Sequence, residues 1–142
     1  HRTGKKMETI KVEVSWSGKN YGGGWGHPGV GAIICTGKTL DEFKAEFLSA
    51  LEFHVEGMLA DGDTVPQWLA DKDYQIEYDL KASALLRQAE RFTTMAALSR
   101  VTGINQRLLS NYASEVKRPR PAQLKRIVEG IRKIGQSCLE LC

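Results

Sequence analysis

The apolar pattern of this chain changes period once, near residue 80, and that change limits its fold more than any other feature. Before it, Ile10, Val12, Val14 and Trp16 alternate with Thr9, Lys11, Glu13 and Ser15, and Tyr74, Ile76, Tyr78 and Leu80 alternate with Gln75, Glu77 and Asp79. Alternation at period two marks strands with one buried face. After it, apolar residues recur every three or four positions, the spacing of a helix packed along one side. The expected fold class is therefore α+β: a sheet-bearing domain over residues 7–80 and an all-helical one over 81–142. A chain of 142 residues can hold two such domains, each with a modest core.

Local signals divide the two domains further. Residues 17–20 have turn chemistry, 21–25 read as a second strand and 30–35 as a third, mostly buried one. Thr39, Leu40, Asp41 and Glu42 form a T-x-x-E capping box, in which threonine and glutamate each satisfy a free backbone N–H. A helix should follow to about Ala60, its stripe made by Leu40, Phe43, Phe47, Leu51, Val55 and Met58, with Gly62 and Pro66 stopping it. A polar connection then leads to the strand at 74–80, giving β-β-β-α-β. Four to five helices should follow. Leu85, Leu86 and Ala89 mark one that ends at Phe92, and residues 95–102 form a second, capped by Thr93 or Thr94 and closed by Gly103. Asn105 caps a third that reaches Tyr112, with Leu109 and Tyr112 inward and Gln106, Arg107, Ser110 and Asn111 outward. Pro121 opens the last, striped by Leu124, Ile127, Val128, Ile131 and Ile134.

The charge divides at the same place. Residues 7–79 carry five Lys/Arg against thirteen Asp/Glu, a formal charge of −8, whereas residues 80–142 carry twelve against four, or +8. Opposite fields on two domains suit two partners of opposite charge, with a polyanion the natural match for the basic one.

The stretch Leu98-Ser-Arg-Val-Thr-Gly-Ile-Asn-Gln-Arg-Leu-Leu-Ser-Asn-Tyr112 resembles the helix-turn-helix of the phage-repressor class. Lys117-Arg-Pro-Arg-Pro121, followed by Leu124, Ile127 and Val128, is similar to the basic link and closing helix of that class. Gly103 permits the sharp turn, Ile104 and Leu109 lock two helices at a steep angle, and the second projects toward a major groove. Asn105, Gln106, Arg107, Ser110 and Asn111 are the candidates for base edges: amides can offer adenine a donor and an acceptor, and arginine can fork onto guanine. Thr94, Arg100, Lys117, Arg118 and Arg120 are the candidates for phosphate. A bundle that uses the same turn only for packing is the competing reading. Glu115 departs from the class, which often has glycine there.

The acidic domain resembles a second family. Tyr21 to Trp25, His-Pro-Gly-Val at 27–30, Thr-Gly-Lys-Thr-Leu-Asp-Glu at 36–42 and Leu-Glu-Phe-His-Val-Glu-Gly-Met-Leu-Ala-Asp-Gly at 51–62 look like the HicB antitoxins. That resemblance implies a small, partly degraded RNase H-like domain that binds a small basic HicA-like toxin, an mRNA interferase, followed by a domain that represses the operon on double-stranded operator DNA. Gly26-His27-Pro28-Gly29-Val30 departs from the Asp-x-Pro-Gly-Cys turn usual in the family. The candidate toxin contacts are Asp41, Glu42, Glu46, Glu52 and Glu56, which equally suit a solvated helix face.

Other classes have less support. A free-standing repressor with a ligand- or protein-sensing N-terminal domain shares the DNA-binding half. An RNase H-like nuclease needs carboxylates converging on paired cations, and Glu13, Glu77 and Asp79 sit on strands without the required cluster. We expect no enzyme, cofactor or metal: Cys35, Cys138 and Cys142 lack ligand spacing, and His27 and His54 lack partners at motif spacing. The three cysteines suit a reducing cytoplasm, and no run of about 18 apolar residues suggests a membrane span. Residues 1–6 lack the apolar run of a signal peptide and are expected to be disordered or a cloning remnant. Apolar surface left on the last helix near Cys138 predicts a homodimer or higher homo-oligomer.

Overall fold

The computed structural model describes residues 7–142; the expectation for residues 1–6 lies outside them. The protein is mixed α and β, with a four-stranded sheet and six helices among the described residues. In chain order these are β1 (Glu8–Trp16), β2 (Tyr21–His27), β3 (Gly31–Gly37), α1 (Leu40–Ala60), α2 (Gln67–Ala70), β4 (Tyr74–Leu80), α3 (Ala82–Ala89), α4 (Met95–Thr102), α5 (Gln106–Ala113) and α6 (Pro121–Leu141). Two compact units form. The first holds the described residues through Val14 with Lys19–Asp79, and the second holds Ser15–Gly18 with Leu80–Cys142.

In the first unit the strands lie in the order β3-β2-β1-β4. β2 and β3 are antiparallel with Tyr21 opposite Gly37 and His27 opposite Gly31. The turn between them closes with Val30 N donating to His27 O at 3.0 Å. Strand alternation sorts the sheet into two faces. One carries Ile10, Val12, Val14, Tyr21, Ile33 and Cys35, all buried, and α1 lays Phe43, Phe47 and Leu51 against it. Tyr78 meets the Phe43 and Phe47 rings edge-on at 6.4 Å. The opposite face shows Lys11, Glu13, Ile34, Thr36, Gln75 and Glu77.

The start of α1 follows from its cap. Thr39 Oγ1 accepts from Glu42 N at 3.1 Å, and Glu42 Oε2 accepts from Lys38 N at 3.1 Å. Its stripe is narrower than the expected one, because Leu40, Val55 and Met58 are only half-buried. The connection expected after it contains α2, one turn that buries Leu69 and sets the Trp68 ring 6.4 Å from Trp25, 5.9 Å from His27 and 6.3 Å from Tyr74. His54 ties α1 to the β2–β3 turn, its Nε2 lying 2.7 Å from Val30 O.

The second unit packs four helices around Leu86, Leu98, Ile104, Leu109, Tyr112 and Ile127, with Leu124, Ile131 and Ile134 against them. α3 stops at Ala89, short of the expected Phe92, because Ala89 O collects the N–H groups of Phe92 and Thr93 and the chain turns out. Phe92 is left 78% exposed. No helix among the described residues is long and apolar enough to cross a membrane.

Candidate nucleic-acid interface

The basic unit presents two eight-residue helices, α4 and α5, joined by three residues. Thr94 Oγ1 accepts from Ala97 N at 3.0 Å and so begins α4. Gly103 ends it at φ +73, a left-handed conformation that glycine adopts without a Cβ penalty. The turn is then pinned by side chains. Ser99 Oγ donates to Ile104 O at 2.7 Å, and Thr102 Oγ1 donates to Leu98 O at 2.7 Å while accepting from Ile104 N at 3.1 Å. Ile104 itself is 3% exposed. Asn105 Oδ1 accepts from Leu108 N at 2.8 Å and starts α5.

Two residues of α6 complete this arrangement, and neither was singled out as a site residue from the sequence. Arg126 Nη2 donates to Thr102 O at 2.8 Å, satisfying a terminal carbonyl of α4, while its Nη1 donates to Gln123 Oε1 at 2.9 Å. Gly130 is buried against the same corner, where a Cβ would come within 2.5 Å of Thr102 Cγ2. A glycine in mid-helix, where propensity disfavours it, was the available signal for close approach. Nothing in the sequence pointed to Arg126, since its partner is a backbone carbonyl 24 residues away.

Leu109 and Tyr112 fix the inner side of α5, which leaves Gln106, Arg107 and Ser110 exposed on the outer side. Asn111 differs from the outward position expected for it: it is half-buried. Asn105 differs too. Its side-chain oxygen accepts the cap bond, which leaves its amide N–H groups and one lone pair for another partner. Arg100, Lys117, Arg118 and Arg120 are exposed, as is Thr94. Lys117, Arg118 and Arg120 join Leu108, Tyr112 and Gln123 around an open concavity of about 600 Å³. The chain enters that basic segment through Glu115 at φ +62 and through Lys117 N, which donates to Asn111 O at 3.2 Å.

On the acidic unit, Glu42, Glu46, Ser49, Phe53 and Glu56 recur at helical spacing on the side of α1 opposite Phe43, Phe47 and Leu51. Phe53 is 79% exposed in the middle of this row. Asp41, Glu46 and Glu56 are exposed, Glu52 is half-buried, and Glu42 is exposed but occupied by the cap. Burial, and secondarily Glu46, pushes the Cys35 thiol above its ordinary pKa. Burial and then Glu52 raise Tyr74, and burial and then Cys35 raise Tyr78. Among the described residues no group of three or more His, Cys, Asp or Glu is placed to hold a metal ion. Cys138 and Cys142 are exposed free thiols.

No protein-family model, curated protein or solved structure matches the chain.

Proposed function

We propose that this chain is the antitoxin of a type II toxin–antitoxin system, a HicB-type protein whose basic unit represses its own operon and whose acidic unit neutralises a HicA-like mRNA interferase. In this reading α4 and α5 are a helix-turn-helix, with α5 in the major groove of operator DNA. The observation that carries it is the outer row of α5: Gln106, Arg107 and Ser110 stand exposed on a helix whose inner side is locked, beside a basic segment holding Lys117, Arg118 and Arg120. Gln106 and Arg107 are the base readers, and Ser110 supplies a shorter contact. Asn105 caps α5 and keeps its amide N–H groups for an acceptor on the duplex. Thr94, Arg100, Lys117, Arg118 and Arg120 hold phosphates and position the helix without reading sequence.

Selection from a randomised duplex pool, followed by fluorescence anisotropy, tests this half. Replacing Lys117, Arg118 and Arg120 together with glutamine should weaken binding to all duplexes and flatten the slope of log affinity against log salt by about 3. Gln106→Ala should instead change the preferred sequence. Equal effects of both variants on every duplex would defeat these roles.

The toxin-binding half is supported by the exposed Phe53 within the acidic row Glu42, Glu46 and Glu56, a surface suited to a basic partner with an apolar anchor. Asp41 and Glu52 extend it. The product of a neighbouring reading frame for a small basic protein should bind the chain, and Phe53→Ala should weaken the complex about tenfold or more. Failure of that product to bind would favour a free-standing repressor whose first unit senses something else.

A further inference from the structure

The second unit has another concavity, of about 280 Å³, bordered by Trp16, Ser83, Arg87, Glu90, Met95 and Ser110. Arg87 lies over the Trp16 ring, its guanidinium carbon 4.5 Å from the ring centroid. The backbone that carries the ring is tied down. Trp16 N donates to Ser83 Oγ at 2.9 Å, and the Ser83 hydroxyl, 2% exposed, donates to Glu115 Oε1 at 3.1 Å. An arginine held over an aromatic ring has N–H donors left for an anion, and its contact with the ring restricts the long side chain, so an anion can be bound at a smaller entropy cost.

The position of the concavity identifies the anion. Met95 is the first residue of α4, directly after Thr94, and Ser110 belongs to the outer row of α5. The site therefore touches both segments assigned to the duplex. It opens to solvent rather than enclosing its contents. That shape suits one unit of an extended polyanion laid across it. We propose that this concavity seats a backbone phosphodiester of the bound duplex, with Arg87 as the ligating cation and Trp16 as its platform. Glu90 on the same wall opposes the phosphate and weakens the seat.

This inference rests on the DNA-binding reading, and the test separates the two. Anisotropy titrations of the full chain with its selected duplex would be run from 50 to 300 mM KCl, on variants checked by circular dichroism melts. Arg87→Gln should weaken binding about tenfold on every sequence and reduce the salt slope by about 0.9. Arg87→Lys should restore the slope but only part of the affinity, because lysine lacks the planar fork. Trp16→Leu should keep the slope and lose about threefold, and Glu90→Gln should tighten binding. If the wild-type chain binds no duplex, the DNA reading fails and the seat with it. If it binds, and the Lys117/Arg118/Arg120 variant weakens it while Arg87→Gln changes neither affinity nor slope, the seat alone is wrong. Weaker or unchanged binding by Glu90→Gln would also count against it.

Discussion

Glu115 shows how a single side chain can offset an unfavourable backbone. It holds φ +62, where an L residue costs about 1–2 kcal/mol relative to glycine, yet its carboxylate accepts the Ser83 hydroxyl at 3.1 Å. Glu115→Ala keeps the strain and loses the bond, so it should destabilise the fold by about 1–2 kcal/mol. Glu115→Gly loses the bond but relieves the strain and should cost less. Thermal melts that rank alanine above glycine would contradict this account. Cys35 gives a pH prediction. Its folded pKa is raised by burial and then by Glu46, so the unfolded chain loses that proton first as pH passes the ordinary value of 9.0. Stability is thus full below that pH and falls as pH rises through the folded value, with Tyr74 and Tyr78 extending the loss above 10.0. Melts at pH 8, 9 and 10 should show the decline, and Cys35→Val should remove its first part.

Among the elements, α4 and α6 approach closely at the corner where Gly130 meets Thr102. Gly130→Val places branched carbon where Thr102 already lies, and Thr102 holds both Leu98 O and Ile104 N. The substitution should cost about 1–3 kcal/mol and disturb the turn into α5. Denaturant melts and duplex titrations on the same variant would check it, and unchanged stability would show that the corner is slack. The ends of α1, α4 and α5 were legible because Thr39, Thr94, Gly103 and Asn105 act within three or four residues of themselves. The β4 alternation was equally local. By contrast, α2 is four residues long, too short to show a period, and β2 continues past Trp25 through Gly26 and His27, which carry no strand signal of their own. Strand order, the Arg126 bond, the Arg87 stack and the half-burial of Asn111 depend on residues distant in sequence, so no local pattern announces them.

At the scale of the whole molecule, a charge of −8 and one of +8 fall on the two sides of one sequence boundary, which is the arrangement expected if one part meets a basic protein and the other a nucleic acid. The end of α6 leaves Cys138, Leu139 and Leu141 exposed, and the proposed DNA-binding role would use two copies on two half-sites. Sedimentation of the reduced chain should therefore show a homodimer at micromolar concentration, and only monomer would contradict it. The most direct test of the central claim is selection from the randomised duplex pool at about 0.15 M salt, where screening leaves specific contacts intact. The expected outcome is enrichment of an inverted repeat with half-site centres about 34–36 Å apart, bound by the wild-type chain and lost when Arg107 and Gln106 are both replaced with alanine. A pool that emerges without any preferred sequence, or whose binding is indifferent to those two residues, would contradict it.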